Sequence, residues 1–247
     1  MPPWARRILR EGRWRVKIAF LSDAHGNEIG LSTCLDAIKG MGVEEIAFLG
    51  DAVGYFPGGK ECTQVIMNEC DKFVFGGHEG MLLGRVPLQR KRDLVYQLAS
   101  QQDQAREAPL SRLNEWPDMR KFEFHDVRIC IVHGTIADPL LGYLYPDGEV
   151  ELPEDFDCDV LVMGHTHYPF IKKVADVLVV NCGSCGLPRD VGNLASFAVF
   201  ETETRKMEII RVPIDVEAIL DRYPTVHEAV RECLYRTADE FVGELVS

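Results

Sequence analysis

The chain has 247 residues, of which 27% are charged, and its formal net charge at neutral pH is −12. A chain of this length can bury a core without disulfide bonds, and its apolar runs fall short of the roughly 18 residues that a membrane-spanning helix needs. The acidic balance opposes long-range attraction of polyanions and argues against broad nucleic-acid binding.

The first 15 residues are basic, with a single acid, Glu11. Their arginines are Arg6, Arg7, Arg10, Arg13 and Arg15. The apolar stretch that follows, residues 16–21, carries Lys17 and runs into Asp23, so it does not match the apolar region of a secretory signal. We therefore predict a flexible arm at residues 1–15, one domain at residues 16–247 and a cytoplasmic location. An over-long translation start and a nucleic-acid-binding arm are alternatives for the first segment.

The first half of the chain alternates strand and helix patterns. Short apolar runs at residues 16–21, 46–49 and 73–75 predict strands. Apolar residues at helical spacing separate them: Leu31, Cys34, Leu35 and Ile38 in the first helix, and Cys62, Val65, Ile66 and Cys70 in the second. This rhythm predicts a mostly parallel sheet covered by helices.

The second half is rich in strands. Residues 87–114 are polar and predict a helical insertion, either a pair of helices packed over one edge or a wall of the leaving-group pocket. Seven strand-like runs follow, at residues 121–124, 127–132, 160–163, 170–174, 177–180, 196–200 and 207–212. The short gaps at Asp126 and at residues 175–176 predict hairpins in a second, more antiparallel sheet. A last helix follows residue 225. We predict an α/β (α+β) fold with two sheets face to face and helices outside.

Most of the eight cysteines lie within apolar patterns, as expected for free, buried cytosolic thiols. Cys182 and Cys185 form a C-x-x-C pair, which fits a redox pair, half of a zinc site or a turn that uses small residues.

Acidic and histidine side chains follow the apolar strands. They are Asp23 and His25, Asp51, His78, His133, and His165 with His167. Strand ends line the ligand crevice of an open α/β sheet, so these groups can converge. Carboxylate with imidazole and without thiolate suits Zn, Mn, Fe, Ni or Co. Any one of these histidines alone would be interpreted as a hydrogen-bonded structural residue, and Asp51 alone as a helix cap. His125 and His227 do not follow a strand in this way and are predicted to be structural.

These residues resemble the motifs of the calcineurin-like metallophosphoesterases, in particular their small stand-alone bacterial and archaeal branch. The family's D-x-H is similar to Asp23-Ala24-His25, its G-D-x-x-G to residues 50–54, and its G-H-x-H to residues 164–167, with His133-Gly134 between them. The resemblance covers residues 16–200. It implies a four-layer αββα fold, a two-sheet sandwich flanked by helices with metals at the carboxyl edges of the sheets.

The resemblance also implies roles for the residues. Asp23, His25 and His167 would hold one divalent metal ion, and His133 and His165 a second. Asp51 would bridge the two ions. A hydroxide bridging both ions would attack phosphorus, and His78 would protonate the leaving oxygen or stabilise the transition state.

One position departs from the family's pattern. The motif G-N-H-[DE] reads Gly76-Gly77-His78-Glu79 here, so Gly77 replaces the Asn expected to bind the second metal. We expect the second site to bind more weakly, or Glu79 to act as a substitute ligand.

The expected substrate is a small phosphodiester, with a phosphomonoester or nucleotide as an alternative. Arg189 is a candidate phosphate contact. A second reading is a degenerate metal-binding protein that binds a phosphate ligand without turnover, because of Gly77. A dinucleotide-binding oxidoreductase is set aside because no G-x-G-x-x-G follows the first strand. The sequence predicts no membrane partner and leaves open a homo-oligomer.

Overall fold

The computed structural model describes residues 16–246. The basic arm predicted at residues 1–15 lies outside the described residues. Within residues 16–246, no helix has the length and apolarity needed to cross a bilayer.

The first half of the chain forms the predicted alternation of strands and helices. Its elements are β1 (Lys17–Leu21), α1 (Glu28–Lys39), β2 (Glu45–Phe48), α2 (Gly59–Glu69) and β3 (Lys72–Phe73). The three strands are parallel neighbours. Helix α1 begins where the Asn27 side chain accepts a hydrogen bond from the Gly30 amide, 3.1 Å away, which satisfies one free donor of the first turn. Its apolar face packs on the sheet.

The region predicted as a helical insertion is built from short pieces. Helix α3 (Gly77–Leu82) and helix α4 (Arg90–Tyr96) precede two 3₁₀-helices, Ala99–Arg106 and Leu110–Glu115. The second 3₁₀-helix anchors the region because its Leu110 and Leu113 are fully buried in the core against the first sheet. The predicted helix pair is thus a single α-helix with two tighter turns.

The remaining strands complete two sheets. They are β4 (Met119–Phe124), β5 (Val127–Val132), β6 (Val160–Met163), β7 (Phe170–Val174), β8 (Val177–Asn181), β9 (Leu194–Glu201), β10 (Lys206–Pro213) and β11 (Glu244–Leu245). The six-stranded sheet has the order β11-β10-β9-β1-β2-β3, and the five-stranded sheet has the order β4-β5-β6-β8-β7. Both predicted hairpins are present, because β4 pairs with β5 and β7 pairs with β8 in antiparallel register. Helices α5 (Val216–Arg222) and α6 (Glu228–Leu234) follow β10.

The two sheets pack face to face. Alternate residues of β1 point to opposite sides: Ile18 and Phe20 enter the core between the sheets, and Ala19 and Leu21 enter the core beneath the helices. Burial of a single side chain such as that of Phe20 stabilises the fold by about 1.5–3 kcal/mol. The outer face of the five-stranded sheet is covered by irregular chain that includes Leu144 and Phe156. The predicted fold class, two sheets with flanking helices, is confirmed.

Candidate metal centre

Seven acidic and histidine side chains from both sheets meet at one edge of the sandwich. Asp23, His25, Asp51 and His78 follow strands β1, β2 and β3 of the six-stranded sheet, whereas His133, His165 and His167 follow β5 and β6 of the five-stranded sheet. All except the partly buried His165 are buried. The site residues predicted from the strand ends therefore lie together in the structure.

The first ligand cluster consists of Asp23, His25 and His167. The Oδ1 atom of Asp23 lies 3.2 Å from Nε2 of His167 and 3.6 Å from Nε2 of His25. The two Nε2 atoms are 3.0 Å apart. Three ligand atoms thus face a common centre.

The second ligand cluster consists of Asp51, His133 and His165. The Oδ2 atom of Asp51 lies 3.2 Å from Nε2 of His133, which is 3.0 Å from Nδ1 of His165. The same Oδ2 atom is 3.9 Å from Nε2 of His25 in the first cluster. Asp51 therefore lies between the two clusters.

Backbone carbonyls fix the orientation of three of the rings. The Nδ1 atoms of His25, His133 and His167 lie 3.1, 2.7 and 2.5 Å from the carbonyl oxygens of Val53, Leu49 and Leu187. A ring whose Nδ1 donates its hydrogen to a carbonyl directs Nε2 to the other side, where it can bind a metal once it carries no proton. These hydrogen bonds therefore aim the Nε2 atoms at the clusters.

The backbone of the site is held in an uncommon conformation. Asp23, His25, Asp51, His165 and His167 all have positive φ angles, between 52° and 68°. Non-glycine residues adopt this left-handed region at a cost, and such residues concentrate at functional sites. Gly164 permits a close approach of the two sheets, because a Cβ atom there would collide with the Ser22 hydroxyl. The turns therefore direct these five side chains inward.

The charges of the carboxylates suit a cationic ligand. Burial raises the pKa of the Asp23 and Asp51 carboxyls, but the neighbouring histidine rings outweigh it and hold both pKa values below the ordinary value. Burial lowers the pKa of His165 and of His167 to about 4, so both rings are neutral at neutral pH. Asp23 Oδ1 is buried, and residues 16–246 supply no hydrogen-bond donor to it. Ionised carboxylates, neutral imidazoles and an unpartnered buried oxygen fit divalent cations of the Mn, Fe, Co, Ni and Zn group.

Gly77 occupies the position at which the family motif has the Asn ligand. A Cβ atom at Gly77 would lie 3.0 Å from Cδ2 of Leu141 and 3.1 Å from the Leu140 carbonyl oxygen. The segment after β5 thus crowds the Cβ position of residue 77 and would have to shift to admit a longer side chain.

Glu79 is engaged elsewhere. Its carboxylate accepts hydrogen bonds from the backbone amides of Gly76, Asp51 and Ala52 at 2.9, 2.8 and 2.5 Å. These bonds hold the turn that carries Asp51. The expectation that Glu79 could replace the missing ligand is wrong, because both carboxylate oxygens are committed to the backbone.

His78 is buried beside both clusters. Its amide donates a hydrogen bond to Asp51 Oδ1 at 2.7 Å, and its ring packs on Tyr55 and Tyr96 with centroids 5.0 and 4.5 Å apart. Its Nδ1 atom has no hydrogen-bond partner among residues 16–246. Burial lowers the pKa of His78 to about 3, so the ring is neutral at neutral pH.

A narrow cleft opens over the clusters. Besides the ligands, it is lined by Tyr55, Tyr96, Tyr143, Arg92 and Arg189. Arg189 donates a hydrogen bond from Nη2 to the Tyr55 hydroxyl at 2.8 Å. Sequence reasoning found Arg189 but missed the three tyrosines and Arg92; only the place of Tyr55, just past the G-D-x-x-G motif, offered a signal.

The cysteines and the two remaining histidines are outside the two ligand clusters. All eight cysteines are buried and free, including Cys182 and Cys185, and none belongs to a candidate metal cluster of residues 16–246. His125 pairs with Glu44 on the surface, and His227 caps helix α6 through its Nδ1 atom.

The fold and the ligand geometry together place candidate metal-ligand clusters at one edge of a two-sheet sandwich. The family model of the calcineurin-like phosphoesterase superfamily domain matches residues 16–205. The chain therefore belongs to the calcineurin-like phosphoesterase superfamily, as its motifs predicted.

Individual proteins are similar to this chain over most of its length. The chain is 29% identical over 224 residues to the uncharacterized protein MJ0912 of Methanocaldococcus jannaschii, a match that covers 83% of this chain and 90% of the relative. Its fold is similar to that of PH1004 of Pyrococcus horikoshii, with a TM-score of 0.75 at 22% identity over 90% of this chain and 98% of the other. The fold is also similar to that of a metallophosphoesterase of Sphaerobacter thermophilus, with a TM-score of 0.70 at 23% identity. This match covers 89% of this chain and 98% of the other.

Proposed function

We propose that this chain is a metal-dependent phosphodiesterase that acts on small phosphodiesters. The observation that carries the proposal is the arrangement of two ligand clusters around the single carboxylate of Asp51. Two cations held in this way would supply the charge stabilisation that an in-line displacement at phosphorus needs. One cluster alone would suit many other reactions.

The chain's own residues would share the work as follows. Asp23, His25 and His167 would hold one divalent cation, His133 and His165 the other, and Asp51 would contribute to both. When bound, the cations would lower the pKa of water and neutralise charge on the phosphoryl group. The hydrogen bonds from the rings to backbone carbonyls would keep the ligands in place before a cation arrives.

His78 would act on the leaving group. A ring with a pKa of about 3 is neutral at neutral pH, so it would serve as a hydrogen-bond donor to the leaving oxygen rather than as a strong acid. Its stacking on Tyr55 and Tyr96 would keep the ring from turning away.

Arg189 would hold a non-bridging phosphate oxygen. Its guanidinium lies at the cleft, and one of its amino groups is fixed by Tyr55. A guanidinium presents several donors in a plane, so the remaining donors stay free to bind phosphate.

Eight buried free thiols fit a reducing, cytoplasmic location.

Hydrolysis of bis(p-nitrophenyl) phosphate by the Mn²⁺-loaded protein tests the proposal. We expect turnover that EDTA abolishes, and a loss of at least about 100-fold in kcat for Asp51→Asn and for His78→Ala. His125→Ala, a change at a surface histidine, is the matched control and should retain activity. Turnover that survives both EDTA and Asp51→Asn would rule out the proposed mechanism, and faster turnover of p-nitrophenyl phosphate would indicate a phosphomonoesterase.

A second function is favoured by the closed space at Gly77. The Asn ligand is missing at position 77, and the Leu141 side chain lies against that position. The second cluster could therefore bind its cation too weakly for turnover, which would leave a protein that binds phosphate ligands without hydrolysing them. Tight binding of inorganic phosphate without turnover in the presence of Mn²⁺, Zn²⁺ or Fe²⁺ would support this alternative.

A further inference from the structure

Two tyrosines beside the cleft have no part in the proposed reaction. Tyr143 and Tyr145 lie on the segment that follows β5 and are 54% and 41% exposed. Their rings are nearly parallel, with an angle of 12° between planes and centroids 6.0 Å apart. The Tyr143 ring lies 4.3 Å from the His165 ring. We call Tyr143 and Tyr145 the tyrosine platform.

Backbone hydrogen bonds hold the platform in place. The Asp138 carbonyl accepts from the Gly142 amide at 3.0 Å, just before Tyr143. The Tyr145 carbonyl accepts from the Gly148 amide at 2.9 Å, and the Gly148 carbonyl accepts from Lys172 Nζ at 2.5 Å. A ligand that binds such a preorganised surface loses little free energy to ordering.

The cleft beside the platform, which Tyr143 lines and Tyr145 does not, carries positive charge. Arg189 and Arg92 both line it. Arg92 is exposed, and no carboxylate of residues 16–246 forms an ion pair with it. The cleft therefore offers cationic groups and candidate metal ligands for a phosphate, with flat aromatic faces beside them.

A nucleotide has the chemistry that matches both parts. Its phosphate is anionic, and its base is a flat aromatic ring one sugar away. Bases stack on exposed aromatic side chains, with a gain of about tenfold to 100-fold in affinity for each base. An aliphatic phosphate ester would leave the tyrosine platform unused.

We propose that the tyrosine platform binds the base of a nucleotide whose phosphate lies over the two ligand clusters. The placement of the phosphate rests on the proposed function, whereas the base contact rests on Tyr143 and Tyr145. The proposal narrows the substrate to nucleotide phosphoesters.

Isothermal titration of the Mn²⁺-loaded protein with AMP and with ribose 5-phosphate tests the platform without requiring turnover. The two ligands share the phosphate and sugar and differ in the base. We expect wild type to bind AMP at least about tenfold more tightly, and Tyr145→Ala and Tyr143→Ala/Tyr145→Ala to lose this preference while still binding ribose 5-phosphate. Tyr145→Phe, which keeps the ring, should retain the preference, as should Tyr235→Ala, a change at an exposed tyrosine on the end of α6.

Equal affinities of wild type for the two ligands would overturn the proposal, whatever the variants do. An undiminished preference in the double variant would overturn it as well. Preference for AMP without hydrolysis of any diester would support base binding by the platform and refute the proposed function. Hydrolysis of a diester without preference for AMP would support the proposed function and refute base binding by the platform.

Discussion

The His133 ring occupies a position where a proton and a metal ion compete. Burial favours its neutral form, but the Asp51 carboxylate at 3.2 Å outweighs burial and raises the pKa of His133 to about 10. In the metal-free protein this ring is therefore protonated at neutral pH. It must lose that proton before Nε2 can bind a cation.

We expect metal binding at the second cluster to release about one proton at pH 7–8. The affinity should rise about tenfold per pH unit below the His133 pKa and level off above it, since the unbound ring is then already neutral. Titration of Mn²⁺ in buffers with different ionisation enthalpies measures the number of protons released. A binding enthalpy independent of the buffer would contradict the protonated state of His133.

Position 77 shows how one contact can decide the affinity of a metal site. Gly77→Asn alone should gain little, because Leu141 and the Leu140 carbonyl occupy the space that its side chain would need. Gly77→Asn combined with Leu141→Ala should bind the second Mn²⁺ about 10–100-fold more tightly. Metal titration compares these variants with Leu141→Ala as control, and equal affinity in the combined variant and wild type would refute a weakened second site.

At the scale of elements, a buried ion pair joins strand β10 to the loop before β9. Arg211 is fully buried and donates to Asp190 from both terminal nitrogens, at 2.5 and 2.9 Å, and to the Leu194 carbonyl at 2.7 Å. The loss of one partner leaves an uncompensated buried charge. The pair matters to the site because Asp190 directly follows Arg189.

Asp190→Asn should lower the free energy of unfolding by about 3–5 kcal/mol. Asp190→Asn/Arg211→Met should lower it less, because the buried charge is then removed together with its partner. Urea unfolding measures both. If the single variant is as stable as wild type, or if the double variant is the less stable of the two, the pair does not act as a buried charge pair.

Elements with a local cause could be predicted from the sequence. The parallel strands, the two hairpins and the ligands at the strand ends follow from apolar periodicity and short gaps. The second 3₁₀-helix could not, since it depends on tertiary burial of Leu110 and Leu113. The closure at Gly77 and the position of Tyr143 beside His165 could not either, because each joins residues far apart in the chain.

At the scale of the whole molecule, metal binding should be coupled to stability. A ligand that binds only the folded state stabilises it by about 2.7 kcal/mol at 100 times its Kd. Urea unfolding in Mn²⁺ and in EDTA should show this difference for wild type and a smaller one for Asp51→Asn. Unfolding curves that are identical in both media would show that no cation binds selectively to the folded chain.

The candidate ligands come from both layers of the sandwich, three from the six-stranded sheet and three from the five-stranded sheet. A cation bound to ligands from both sheets would crosslink the two layers at this edge. Asp51 lies at the centre of the site, because it faces His25 from one layer and His133 from the other. Sliding of one layer past the other would break the coordination. Loading the metal should therefore slow amide exchange in β6 as well as in β1, although these strands share no backbone hydrogen bond.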